Sequence, residues 1–502
     1  MTEGAEPATP AESAPPAQRR GALPAAPPSA PADPLAGNTL LAAPDQVLAT
    51  LRPDGSRNWI RPRLSPGWFL DRRRALAWAL MAFFVAAPWI PVGGKPLILL
   101  DVVRREFTLA GTTFRPTDTP LLMLLMLAIF VGVFLTTALF GRAWCGWACP
   151  QTVYMEFVFR PLERLFEGSP QQQARRDREG ADGRRWLKNG VSALIAAFLA
   201  NTFLAYFVGW EQLLVWMTHS PAHHPTAFMV MLTVTGLMVF DFVWFREQTC
   251  LVACPYGRLQ AVLFDRDTWI VGYDARRGEP RGKLKKAPAA QPDARGDCID
   301  CRACVTTCPT GIDIREGLQM ECIGCAQCVD ACDAIMDRVG RPRGLVRYTS
   351  AAELAGEPRR HLLRPRTVIY TAALVLLGGL LAAGLWTRPS TKVFALRGLD
   401  TPYAVLPTGE VHNRLRLKVH NLAETARTYT LEADGLGEGT LIAPEFPLTV
   451  GGGAQATTTV FVKLAPGAFD ARGRRRVALR ISDGEAFRAE LPYTLLGPRR
   501  SP

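Results

Sequence analysis

Cysteine is absent from residues 1–144 and from residues 333–502, so neither end of the chain can be held by a disulfide. All twelve thiols fall between Cys145 and Cys332, a distribution that excludes a small disulfide scaffold and points to metal. An apolar core of secretory type is missing from residues 1–45, which hold ten prolines among alanines and small polar residues. That composition predicts a disordered tail over 1–60, with the first apolar run after it an uncleaved anchor. Charge is missing from four long runs, 75–92, 120–140, 189–210 and 367–387, and a fifth, 226–245, carries only Asp241. About 20 apolar residues cross a bilayer as a helix. Five spans are therefore expected, although the overall proportions of 48% hydrophobic and 21% charged residues look soluble.

Lys and Arg are unequally spread between these runs. Residues 1–74 carry 9, residues 141–188 carry 9 and residues 246–366 carry 20, against 4 in residues 93–119 and none in 211–225. The positive-inside rule places the three basic segments in the cytoplasm and the chain from Arg388 onward in the periplasm of a Gram-negative inner membrane, where a large translocated domain keeps its 16 basic residues. The net charge of +13 is thereby explained by membrane orientation, and no nucleic-acid partner is expected.

The segment 288–348 holds two copies of Cys-x2-Cys-x2-Cys-x3-Cys. Three close thiolates cap three irons of one cubane, and the fourth cysteine reaches the cluster of the other copy. The expected ligand sets are Cys298, Cys301, Cys304 and Cys332 for one 4Fe-4S cluster, and Cys308, Cys322, Cys325 and Cys328 for a second. Paired zinc sites also use Cys-x2-Cys, but rarely with a third cysteine two residues on. Pro309 follows the first copy and Asp333 replaces it in the second, which puts the local turn in question. Arg302, Arg315 and Arg338 read as solvated charges or as docking contacts for an acidic electron donor.

The other four cysteines form two Cys-x3-Cys-Pro units, Cys145, Cys149, Pro150 and Cys250, Cys254, Pro255, each starting five residues after an aromatic that closes an apolar run and offset by 105 residues. The repeat implies two helical hairpins, together 75–245, ending in the same device. The i, i+4 spacing predicts both thiols on one helix face, and the proline that follows suits a helix start or a break. Four thiolates suit a further 4Fe-4S cluster, a copper(I) site or redox-active dithiols; buried packing cysteines are the bland alternative. Arg142 and Arg246 flank the units, and Glu156 and Glu247 satisfy neighbouring arginines. Asp241 reads as a snorkelling carboxylate or a proton-handling group. His219, His223 and His224 suit an interfacial loop beside Trp210 and Trp216, or a copper or haem site.

After 367–387 the pattern alternates at 414–419, 428–432, 456–464, 476–481 and 487–491, with turn residues at Asp434, Gly435 and Gly451 to Gly453. Period-2 strands at this spacing predict a β-sandwich over 395–502, a fold that more often binds a partner than performs chemistry.

The strings GRAWCGWACPQTVYME (141–156), REQTCLVACPYGRLQ (246–260), the two ferredoxin motifs and CDAIMDRVGRPRGLVRY (332–348) closely resemble the cytochrome c oxidase accessory protein (CcoG, FixG or RdxA) family. The resemblance runs from about residue 60 to the end. It implies a five-helix transmembrane bundle, a cytoplasmic two-cluster ferredoxin-like α+β domain and a C-terminal immunoglobulin-like sandwich. It further implies assembly of the cbb3-type oxidase, with cupric reduction as the activity, Cys145, Cys149, Cys250 and Cys254 as receivers of electrons, and oxidase subunits or copper-assembly factors as partners of the periplasmic domain. Two rival functions stay open: a quinol-oxidising relay, and a non-catalytic assembly scaffold.

Overall fold

The computed structural model describes residues 49–499 apart from 52–53, 55, 103–104, 116–117, 181, 284–294, 358–363, 398–400, 424 and 486. Residues 1–48 of the expected tail lie outside the described residues. In its described part Asn58 N–H donates to the Thr50 carbonyl (2.8 Å), and Ile60 is buried. The chain divides within the helix Pro365–Trp386 into two compact units, 1–378 and 379–502.

Among the described residues four helices are long and apolar enough to cross a bilayer: Thr119–Phe140, Gly183–Val208, Pro225–Phe245 and Pro365–Trp386. Large apolar side chains stand exposed on them, among them Met126, Phe130, Met229, Leu237, Leu376 and Val375, as a lipid-facing surface requires. The second begins six residues before the expected 189, because Asp182 caps it by accepting the Arg185 N–H (3.1 Å), and Gly209 at φ 82° stops it before 210.

The expected first span, 75–92, falls instead on the helix Trp68–Ala86, which is not among those four. Its first two turns carry Asp71, Arg72, Arg73 and Arg74, so only the stretch from Ala75 is free of charge. Pro88 and Pro91 follow its end, where a short 3-10 turn leads into strands. The helix is fastened at both ends. Near its start, Arg73 Nε donates to the Gly146 carbonyl (2.8 Å); near its end, the Tyr206 hydroxyl donates to the Phe84 carbonyl (2.7 Å) and Trp89 stacks on Trp210. It therefore lies along Gly183–Val208 toward that helix's C-terminal end. A three-stranded antiparallel sheet, Ile98–Asp101, Glu106–Leu109 and Thr112–Phe114, occupies the connection that follows.

The ferredoxin segment is bracketed by two antiparallel strands, Ile270–Tyr273 and Val346–Thr349. Its two copies repeat one backbone path: Asp300 and Arg302 have φ of 49° and 54°, and their counterparts Gly324 and Ala326 have φ of 65° and 58°. Such left-handed residues turn successive N–H groups inward to form an anion-binding concavity. The copies then diverge where the sequence does. Ahead of Pro309 the first helix stops at Ala303–Thr306, whereas Asp333 lets the second continue over Gln327–Val339 and accepts the Gly344 N–H (2.9 Å).

The helix Gln327–Val339 also completes the N-terminal helix. Asp330 accepts the N–H groups of Phe69 (3.2 Å) and Leu70 (2.8 Å), two donors that have no partner within their own helix. A Cβ on Gly67 would strike the Asp330 carboxylate, so this approach requires glycine. Asp330→Ala is expected to destabilise the first unit by about 1 kcal/mol, the usual worth of a helix cap, read as a lowered thermal midpoint in detergent.

The second unit is a two-sheet antiparallel sandwich. One sheet runs in the order Thr440–Ile442, Gln455–Leu464, Val411–Asn421, Thr391–Arg397, and the other Leu448–Val450, Arg427–Asp434, Arg474–Ser482, Arg488–Leu496. Alternate residues Leu415, Leu417 and Val419 face Tyr429, Leu479 and Ile481 in the core, all fully buried.

Candidate iron–sulfur sites

Proline governs the local geometry of the duplicated cysteines. A residue before proline is driven into extended backbone, and Cys149 (φ −61°, ψ 126°) and Cys254 (φ −77°, ψ 108°) are both extended. The helix-face arrangement expected from the i, i+4 spacing is therefore absent. Cys145 lies in the short helix Ala143–Trp147 and Cys250 in the π-turn Thr249–Ala253, while Pro150 and Pro255 open new helices. The repeat extends to the residue that ends each preceding helix: Gly141 has φ 56°, ψ −124° and Arg246 has φ 57°, ψ −125°. That conformation suits glycine and strains arginine. Arg246 is held there by ion pairs to Glu163 (2.5 Å) and Glu247 (3.4 Å).

All four of these cysteines come together. Cys250 lies within electrostatic range of Cys145, Cys149 and Cys254, and burial pushes its thiol up to about 12. Cys145 is raised to about 11 by burial, against the pull of Arg142, and its Sγ sits 3.1 Å from Gln260 Oε1. Asp241 joins the two units rather than reaching for the headgroups, accepting from Gln151 Nε2 (3.1 Å) and from the Thr249 hydroxyl. Glu156 pairs with Arg160, and Glu247 pairs with Arg246 and Arg160, so both acids belong to a buried ion network beside the cysteines.

The ferredoxin cysteines form two further groups. Cys332 senses Cys298, Cys301 and Cys304, and burial raises its thiol to about 12. Cys328 senses Cys308, Cys322 and Cys325, and more weakly Cys304, and burial raises its thiol well above the ordinary value. Cys301 is exposed, so the first group reaches the surface. The second lines a hollow with Cys304, Ile312, Ile314 and Ile323. Thiols buried this deeply ionise only if a cation offsets the lost solvation. All-sulfur donor sets on inward-turned backbone fit iron–sulfur clusters.

The second group adjoins the duplicated cysteines. A hollow lined by Cys250, Gln151, Glu156 and Arg246 shares Pro309, Thr310 and Ile323 with the ferredoxin hollow. Arg142 bridges them, with Nη1 on the carbonyls of Met320 and Cys322 (3.4 Å).

Several expected surface features are placed differently. Arg315 is not a docking charge: its side chain is 4% exposed and ion-paired with Asp300 and Asp313, both at 2.6 Å. Arg302 and Arg338 are exposed. His219 and His223 stand exposed with rings 6.1 Å apart, His224 stacks on Trp216, and among the described residues no three His, Cys, Asp or Glu are grouped to hold a single metal ion. Sequence reasoning passed over Tyr348, whose hydroxyl receives the Trp147 indole N–H (2.9 Å) and donates to the Gly324 carbonyl (2.5 Å), tying the two cysteine regions together. It also passed over Arg73, hidden in a basic triplet that reads as a topology signal.

Three groups of thiols beside helices of membrane length define a membrane iron–sulfur protein of the electron-transfer class. Family models agree: a 4Fe-4S binding domain matches residues 122–168, a 4Fe-4S dicluster domain matches 245–351, and the IG-like fold at the C-terminus of FixG matches 381–498. Protein RdxA and protein RdxB of Cereibacter sphaeroides are each 36% identical, over 76% and 82% of this chain and 83% and 88% of theirs. The nitrogen fixation protein FixG of Rhizobium meliloti is 30% identical over 77% of this chain and 81% of its own. The chain belongs to the FixG/RdxA family. A crystal structure of a FixG-related protein from Vibrio parahaemolyticus aligns with 22% of this chain and 96% of that one, at 17% identity and a TM-score of 0.20.

Proposed function

We propose that this protein takes single electrons from a cytoplasmic donor and reduces Cu(II) to Cu(I) at the inner membrane, for maturation of a cbb3-type haem-copper oxidase. The observation that carries this reading is the gathering of Cys145, Cys149, Cys250 and Cys254 into one group that shares walls with the second ferredoxin group. Cys298, Cys301, Cys304 and Cys332 would hold one 4Fe-4S cluster and Cys308, Cys322, Cys325 and Cys328 a second, supplying one-electron oxidation and reduction. The match of a 4Fe-4S binding domain to residues 122–168 favours a third cluster at the duplicated cysteines over a resident copper ion.

The residues around these groups have separable tasks. Exposed Cys301, with exposed Arg302, offers the donor a contact of complementary charge if that donor is acidic. Ile312, Ile314 and Ile323 keep water from the second group. Holding a third cluster, the duplicated cysteines would pass one electron on to Cu(II), the substrate, which leaves as Cu(I).

Orientation follows the basic segments, with the cysteines cytoplasmic and the sandwich periplasmic. The helix Trp68–Ala86 serves as a fifth span, supported by its fastening to Gly146 near one end and to Tyr206 and Trp210 near the other. The sandwich then meets oxidase subunits or copper-assembly factors. The test is Cu(II) reduction by purified protein carrying Cys→Ser at 145, 149, 250 and 254 with both ferredoxin clusters retained. The rate is expected to fall to background, and a parental rate overturns the reading.

A further inference from the structure

Buried charge is unequal around the two ferredoxin groups. Beside Cys304, the positive charge of Arg315 is cancelled by Asp313 and Asp300, and Asp333 adds negative charge next to Cys332. The other group faces two guanidiniums that no carboxylate among the described residues pairs with. Arg73 is 1% exposed; only its Nε is bonded, to the Gly146 carbonyl, and Nη1 and Nη2 have no partner. It lies within electrostatic range of Cys325 and Tyr348. Arg142 is 6% exposed, bonds backbone carbonyls through Nη1, leaves Nε without a partner, and lies within range of Cys322 as well as of Cys145 and Cys250. Glycine at 257 makes room for it, since a Cβ there would strike Arg142 Nη2. The acid nearest this group in effect, Glu156 toward Cys325, is already paired with Arg160.

A guanidinium sealed from water without an anion is strongly unfavourable. A thiolate-ligated cluster supplies that anion, and its negative charge grows by one when it is reduced, so unpaired cations nearby favour the reduced state. Burial acts the other way, and exposure at Cys301 favours reduction of the first group; two unpaired cations against a cancelled one reverse that order. We propose that Arg73 and Arg142 are positioning residues whose unpaired charge makes Cys308, Cys322, Cys325 and Cys328 hold the more easily reduced of the two clusters. This rests on assigning those cysteines to a cluster.

The test is an anaerobic potentiometric titration of the holoprotein followed by EPR, with iron and sulfide counted. Cys328→Ala identifies the signal of the second group. In the parent, that signal is expected at the higher potential. Arg73→Gln and Arg142→Gln should each move it to more negative potential while the first cluster stays in place, and Arg73→Lys should remain near the parent. The proposal is overturned by the reverse order in the parent, by no movement or equal movement of both clusters in Arg73→Gln, or by loss of iron in both glutamine variants, which would make the guanidiniums purely structural. A parent with fewer than about eight irons per chain overturns the cluster assignment beneath it.

Discussion

Serine at positions 145, 149, 250 and 254 together is expected to lower bound iron from about twelve atoms per chain to about eight, with acid-labile sulfide falling in step. The expectation comes from the joining of cysteines 105 residues apart in sequence into one group, with buried thiols that need a cation to ionise. Eight irons in both proteins would instead leave the four thiols free or bound to another metal. The iron count separates these cases without any activity measurement. Read with the Cu(II) assay on the same variant, it also separates a cluster that fails to form from a substrate site that fails to work.

Gly146→Ala is expected to have the second large effect. A Cβ at this position would lie 2.6 Å from the Ile323 carbonyl oxygen and 2.8 Å from Cys325 N and Cα. All three neighbours are backbone, so no side chain can swing away, and the strain falls on the loop that carries Cys322 and Cys325. Overpacking of this kind costs about 1–3 kcal/mol, and here it displaces cysteines of one group. The variant should lose about four irons and melt at lower temperature. Gly190→Ala is the control, since a Cβ there meets nothing within 4 Å; its iron content should match the parent.

Much of this site is legible in the sequence because it is written in local spacing. The crossing of the fourth cysteines follows from Cys-x2-Cys-x2-Cys-x3-Cys, and the fold groups Cys332 with the first copy and Cys308 with the second. The duplication at an offset of 105 residues is likewise visible, down to matching backbone angles at Gly141 and Arg246. The helix-face reading of Cys145 and Cys149 fails because Pro150, which opens the next helix, drives the second thiol's own residue into extended backbone. The alternating strands of the C-terminal unit were readable because one buried face at period two leaves a direct signature in the residues.

What stayed hidden depends on distant partners. Within Arg72, Arg73 and Arg74 only the middle residue is buried, a fact set by Gly146 and not by its neighbours. Arg315 reads as a surface charge until Asp300, fifteen residues away, is brought against it. Asp330 reads as one more polar residue between cysteines, and only the fold turns it toward Leu70, 260 residues earlier.

That last contact bears on the order in which the protein is made. The helix Trp68–Ala86 is synthesised well before Asp330, yet two N–H groups of its first turn wait for that carboxylate, about 260 residues later. Asp330 stands between Cys328 and Cys332, one from each ferredoxin group, so the segment that completes the helix is the one that must be threaded around iron. A contact so distant in sequence closes late in folding. Any disturbance of the segment between these cysteines therefore also takes the acceptor from two N–H groups of the helix Trp68–Ala86.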